Sequence, residues 1–107
     1  MLRYHFILIG CVSFLTGFGQ FRNVRISPAN RNPVEPSVAI NPLNTNEVAV
    51  GAVLDDYYVS TDGGNHWKSD TLKSPYGVYG DPVLQFDASG RLYYFHLSNY
   101  PKGAWID

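Results

Sequence analysis

Eight residues near the middle of the chain, Ser60-Thr61-Asp62-Gly63-Gly64-Asn65-His66-Trp67, restrict its fold more than any other stretch. Tyr57-Tyr58-Val59 reads as strand, Asp62-Gly63-Gly64 supplies turn residues that tolerate positive φ, and His66-Trp67-Lys68 resumes the strand. Ser60 and Asp62 bring short side-chain oxygens to turn N–H groups that no ladder satisfies. Gly64 spares the turn a Cβ clash, and Trp67 can fold its indole back over the bend. The stretch reads as a tight hairpin.

Internal repetition is the second constraint. Pro36-Ser37-Val38-Ala39-Ile40-Asn41 is a strand ending in a turn, Pro42 to Asn46 a loop, and Glu47 to Leu54 a second strand. Pro82-Val83-Leu84-Gln85-Phe86-Asp87, 46 positions on, repeats the design, followed by the turn Ala88-Ser89-Gly90 and the strand Arg91 to Ser98. An acidic residue precedes the proline in both copies (Glu35, Asp81), and Val38 and Ile40 match Leu84 and Phe86 on one face. Asn41 matches Asp87, with the second turn two residues shorter. A period of this size suits a four-stranded propeller blade. One such unit would place strands at about 36–41, 47–54, 57–62 and 66–72. Val48-Ala49-Val50-Gly51-Ala52-Val53 shows little polar alternation, as expected of an inner strand covered on both faces.

The pattern Ser-x-Asp-x-Gly-x-x-Trp resembles the Asp-box, or bacterial neuraminidase repeat, of sialidases and related β-propellers. Ser60, Asp62, Gly64 and Trp67 match its four defining positions. In that family the Asp-box is a structural staple away from the active site, so the resemblance implies an architecture before a reaction. The implied fold is an all-β propeller of the sialidase type, represented by its first four-stranded blade and part of the second. Residues 34–73 would be the first blade, with the Asp-box at 60–67, and 74–107 the inter-blade crossing and incomplete second blade. Propellers close rings of about 4–8 blades that bury their faces only against neighbours. A blade and a half would leave Leu84, Phe86, Leu92, Tyr94 and Phe95 as a bare apolar flank. The chain is therefore expected to be the N-terminal fragment of a longer protein whose remaining blades are missing here. The alternative is a small domain that completes its sheet by self-association.

Composition agrees with an all-β class. The chain is 45% hydrophobic and 15% aromatic with a formal net charge of −1, too apolar and too weakly charged for disorder. Near neutrality offers no electrostatic basis for binding nucleic acid or an anionic membrane. Residues 1–19 read as a secretory signal peptide, from Arg3 and His5 through the apolar Phe6–Leu15 to small residues before Gln20, which points to a bacterial secreted, periplasmic or cell-surface protein. Leu8-Ile9-Gly10-Cys11 resembles a lipoprotein box, but cleavage there would leave an h-region of about five residues, short of the usual 7–15. Nothing later in the chain could span a bilayer. Residues 20–33 form a lead-in in which Phe21, Val24 and Ile26 suit one short strand.

The resemblance also nominates site residues. Sialidases use a Tyr nucleophile paired with Glu, an Asp acid/base and three Arg that hold the substrate carboxylate. The Asp lies between the second and third strands of the first blade, where Asp55 and Asp56 stand here. Adjacent carboxylates perturb each other's titration, yet acids before a strand also serve as turn formers. Asp81, in Tyr79-Gly80-Asp81-Pro82, is the second catalytic candidate, with Tyr79 and Tyr76 as aromatic neighbours for a sugar face. It also suits a turn Asp capping loop N–H groups. Arg25, in Arg25-Ile26-Ser27-Pro28, is similar to the Arg-Ile-Pro element that grips the carboxylate, with Ser27 interrupting it; otherwise it is a solvated edge Arg. His66 is expected to be exposed and His96 to be packed among aromatics. No cofactor is implied, and no residues fall at metal-ligand spacing. The implied function is a sialidase-like glycoside hydrolase with a glycan substrate, inactive as this piece alone, or else a non-catalytic extracellular propeller that binds glycan or protein.

Overall fold

In a computed structural model the described residues are 22–98, and they contain six strands and no helix. Strands β1 (Val34–Ile40), β2 (Val48–Val53), β3 (Asp56–Ser60) and β4 (Lys68–Thr71) form an antiparallel sheet in chain order. Strands β5 (Gly80–Phe86) and β6 (Leu92–Leu97) pair as a second antiparallel sheet. The strands are shorter than the sequence suggests at the β3–β4 connection. Residues 61–62 and 66–67 belong to that connection; the Asp62 N–H goes to Ser60 Oγ and the His66 N–H to Asp62 Oδ1 instead of to a ladder. No strand forms at Val24 and Ile26, and Phe21 lies outside the described residues.

The repeat extends to the backbone. In β1 the register slips between Val34↔Val53 and Ser37↔Gly51, and in β5 it slips between Gly80↔Leu97 and Val83↔Phe95. Each bulge contains an acidic residue in the left-handed region, Glu35 at φ 51° and Asp81 at φ 49°. The proline that follows disfavours the right-handed helical region for the residue before it. A non-glycine residue held at positive φ costs about 1–3 kcal/mol, so the surrounding ladder has to impose it. Both hairpins then turn on an Asx residue. Asn41 Oδ1 accepts from the Leu43 N–H and Asp87 Oδ1 from the Ser89 N–H.

The two sheets pack face to face through unequal surfaces. Ala39, Ala49 and Gly51 make a shallow wall on the first sheet, and Leu84, Phe86, Leu92 and Tyr94 of the second fill against it. Tyr57 meets Tyr94 edge-on, with ring centroids 6.0 Å apart at 71°. The Leu84 N–H donates to Ser37 Oγ at 3.0 Å, tying β5 to β1. β2 is buried on both faces, as its unalternating sequence implies. The bare flank differs from expectation at every residue but Phe95. Leu84, Phe86, Leu92 and Tyr94 face inward, and the exposed set is Val83, Tyr93 and Phe95, at 58%, 40% and 51% exposure. The strand period explains this: Leu84 and Phe86 share a face, so Val83 must point the other way.

Candidate functional site

The Ser60–Trp67 turn is closed by its own side chains. Ser60 Oγ, buried at the end of β3, accepts from the Gly64 N–H at 2.9 Å and donates to Asp62 Oδ1 at 2.9 Å. Asp62 Oδ1 also accepts from the His66 N–H at 2.9 Å, and Oδ2 pairs with the His66 ring. Trp67 Nε1 donates to the Gly64 carbonyl at 2.8 Å, laying the indole 3.6 Å from where a Cβ of Gly64 would sit. Gly63 (φ 69°) and Gly64 (φ 89°) take the left-handed conformations the bend requires. The Gly63 N–H reaches across to the Asn46 carbonyl at 2.9 Å, so the turn is anchored to the β1–β2 loop. All four residues of the Ser-x-Asp-x-Gly-x-x-Trp pattern are thereby brought together.

These donors stabilise the carboxylate form of Asp62. The His66 N–H, then the His66 ring, hold its pKa down from 3.8 to about 2. Asp87 is held at about 2 in the same way, by the Ser89 hydroxyl first and then the Arg91 N–H, with Tyr93 on its other oxygen. Both folded-state values lie below the unfolded one. Their contribution to stability is therefore full above pH 3.8 and disappears as pH falls through about 2. Thermal melts across that interval should show a steep acid loss, and Asp62→Ala with Asp87→Ala should flatten it. An unchanged acid slope in the double variant would contradict this assignment.

The other candidate residues lie apart from the turn. Asp56, buried, and Asp55, half-buried, both pair with Arg31, whose Nη1 lies 2.9 Å from Asp56 Oδ1 and 3.3 Å from Asp55 Oδ1. Arg31 is a residue that the sequence did not nominate. The Tyr58 hydroxyl is enclosed without a well-formed hydrogen bond; burial, then the Asp56 carboxylate, raises its pKa. Burial, followed by the charges of Asp55 and Asp56, raises Tyr94 to about 12, keeping it a neutral phenol. A polar cavity of about 300 Å³ opens here between Asn30 and Arg31 on one side and Asp56, Ser69 and Thr71 on the other.

Arg25 serves its own loop. Nε donates to the Ser27 carbonyl at 3.2 Å and Nη2 to the Arg31 carbonyl at 3.2 Å, so the guanidinium organises the lead-in. Asp81 is exposed at the β5 bulge, beside an apolar cavity of about 290 Å³ lined by Val83, Phe95, His96 and Leu97. Its carboxylate has no hydrogen-bond or ion-pair partner among the described residues. Tyr79 and Tyr76 are exposed just upstream, and the Tyr79 N–H donates to the Leu97 carbonyl at 2.8 Å. His66 is exposed, as expected. His96 is half-buried, its Nδ1 2.9 Å from the Leu97 carbonyl and its ring edge-on to Tyr94. Cys11 and residues 1–19, where a signal peptide is expected, lie outside the described residues. Among the described residues no three His, Cys, Asp or Glu gather as a metal site, and no helix is long and apolar enough to cross a membrane. Asp55 and Asp56 share one cluster; Asp81 and Tyr79 occupy another region, and Arg25 remains with the lead-in.

No family model matches the chain, and neither the curated proteins nor the solved structures include a significant match.

Proposed function

We propose that this chain supplies the first blade and part of the second of a sialidase-like, Asp-box β-propeller, exported from a bacterial cell, and that its ligand is a glycan. The observation that carries the reading is the Ser60–Trp67 turn, in which each of the four pattern residues closes the β3–β4 connection. The repeated hairpin, with the same bulge, the same positive-φ acid and the same Asx turn, supports a ring of like units. Asp81 is the candidate for contact with substrate. It is exposed, unpartnered among the described residues and held at φ 49°, the kind of strained conformation that concentrates at functional sites. Exposed Tyr79 offers an aromatic surface close by in sequence.

A non-catalytic glycan-binding role is the second reading, favoured by one observation. Asp55 and Asp56, placed where the family carries its acid/base, are both ion-paired with Arg31. An oxygen of each carboxylate is thereby engaged by a cation of the chain itself rather than left open to a substrate. The 107-residue chain, given a fluorogenic sialoside, is expected to show no turnover, since the groups required come from several blades. Titration with the same sialoside should shift amide resonances at Tyr79 and Asp81, and Asp81→Asn should weaken that binding about tenfold. Turnover by this chain would contradict the division of the site among blades. Absence of binding to any member of a glycan array would remove the carbohydrate reading.

A further inference from the structure

The first sheet carries a roofed polar cavity on the face turned away from the second. Cross-strand partners share a face, so Asp56↔Thr71 and Tyr58↔Ser69 put four polar side chains on one side of β3–β4. Tyr57 and Val59 point to the other side, where β5 and β6 pack. The lead-in is the roof. Arg25 Nε donates to the Ser27 carbonyl at 3.2 Å, and Nη2 to the Pro28 and Arg31 carbonyls at 3.3 and 3.2 Å, so residues 27–31 form a preshaped loop. Asn30 and Arg31 of that loop, with Asp56, Ser69 and Thr71 beneath, enclose about 300 Å³. Described residues supply both walls, and β6 lies across the sheet from them.

The polar groups of this cavity do not satisfy one another. Tyr58 is 1% exposed, and its hydroxyl lacks a well-formed hydrogen bond although it stands beside Asp56 and in the field of Arg31, both of which line the cavity. An enclosed hydroxyl without a partner is costly, which points to a group the chain does not supply. The charge is unbalanced as well. Arg31 Nη1 pairs with one oxygen of Asp56 and one of Asp55, and the second oxygen of each has no cation among the described residues. Asp70 adds a third carboxylate to the lining.

The lining excludes several kinds of occupant. Excess carboxylate disfavours an anion. Among the described residues no three His, Cys, Asp or Glu gather for a divalent metal. No aromatic face lines the cavity for a quaternary ammonium. What remains is a cation whose own N–H groups match several oxygens. The volume is at the small end of ligand pockets, about 300–1,000 Å³, and the lining is mostly polar, which suits a short body bearing a hydroxyl.

We propose that this cavity binds a small primary ammonium ion of the amino-alcohol class. Its three N–H donors go to the open oxygen of Asp56, to Tyr58 Oη and to the Ser69 or Thr71 hydroxyl. The site is independent of the carbohydrate reading, whose contacts are assigned to Asp81 and Tyr79.

The test titrates the 107-residue chain at neutral pH and constant ionic strength with ethanolamine, choline and potassium chloride in separate arms. Ethanolamine should shift the amide resonances of Asp56, Tyr58 and Thr71 and saturate at one per chain. Choline, with the same charge and no N–H, should leave them in place. Tyr58→Phe should weaken ethanolamine binding about tenfold and leave the melting temperature at or above wild type, because the hydroxyl removed has no partner in the free protein. Thr71→Val should weaken binding in the same direction, which keeps the test informative if the Phe variant fails to fold. Leu43→Ser, exposed in the β1–β2 loop, should change nothing. Absence of a saturable shift would mean that the cavity holds water alone, and equal binding of choline that only bulk charge attracts the cation; either overturns the proposal. So does displacement of ethanolamine by equimolar potassium, or unchanged affinity in both Tyr58→Phe and Thr71→Val. Tighter binding of Nα-acetyl-lysine amide than of ethanolamine would make the occupant a protein side chain, and binding seen only after Lys102→Gln would make it the chain's own ammonium. Each of these results also overturns it.

Discussion

Valine in place of Gly51 is expected to cost about 3 kcal/mol and to loosen the contact between the two sheets. Gly51 lies mid-strand, paired with Ser37 on one side and Tyr57 on the other. It is not there for an unusual φ. A Cβ at this position would meet Tyr94 Oη at 2.6 Å, and both Leu84 Cδ1 and Tyr94 Cε2 at 2.8 Å. These distances are below van der Waals contact, so the Tyr94 ring and Leu84 must both move, and the wall that receives β5 and β6 moves with them. Urea denaturation should report the loss. Near-ultraviolet circular dichroism should lose tyrosine ellipticity, because Tyr57 and Tyr94 are packed edge to edge against this spot. Alanine should cost less, and Gly51→Ala should recover part of its loss in a Tyr94→Phe background, where the 2.6 Å contact is gone. Wild-type stability in Gly51→Val would mean that the sheets do not pack in this way.

Much of this architecture was legible because β structure writes itself in short-range patterns. The alternation Val83-Leu84-Gln85-Phe86 fixes two faces, and proline, glycine and Asx residues mark where each strand stops. The Ser60–Trp67 turn could be read in detail because its hydrogen bonds run between residues at most four apart. The lone carboxylate at Asp81 could also be singled out, since Pro82 announces a special backbone there.

What stayed hidden depends on distance along the chain. Arg31 and Asp55 are 24 positions apart, and no periodicity links a lead-in loop to the start of a third strand. The two acids read as proton-transfer candidates or as turn formers, and the structure pairs both with a cation the sequence did not nominate. Parity was the second blind spot. A sequence shows that Leu84 and Val83 point to opposite sides, but only the packing of β5 on β1 tells which side is covered. Strand ends were misplaced for a third reason. Ser60 Oγ takes the Asp62 N–H and Asp62 Oδ1 takes the His66 N–H from the ladder, so the hairpin opens into a longer connection than Asp-Gly-Gly suggests.

Leu84→Ala should be as damaging, by the opposite route. Leu84 is 5% exposed and belongs, with Ala39 and Ala49, to the small buried cluster joining the sheets. Truncation removes the largest of those three side chains, at an expected cost of about 3 kcal/mol for the lost contacts and the cavity left behind. Recovery by collapse is restricted on the β1–β2 wall, because Ala39, Ala49 and Gly51 have no long side chain that could swing into the gap. The loss should also be uneven. A two-stranded sheet is marginal by itself, so β5–β6 should open at lower denaturant than the four-stranded sheet. Hydrogen exchange should then show the β6 amides released before those of β2 by a wider margin than in wild type. A double-mutant cycle completes the test. Gly51→Ala places a methyl where Leu84 Cδ1 used to crowd it, so the pair should cost less than the sum of the singles by about 1 kcal/mol. Strict additivity would place Leu84 out of reach of Gly51 and would remove the contact on which the packing of the two sheets rests.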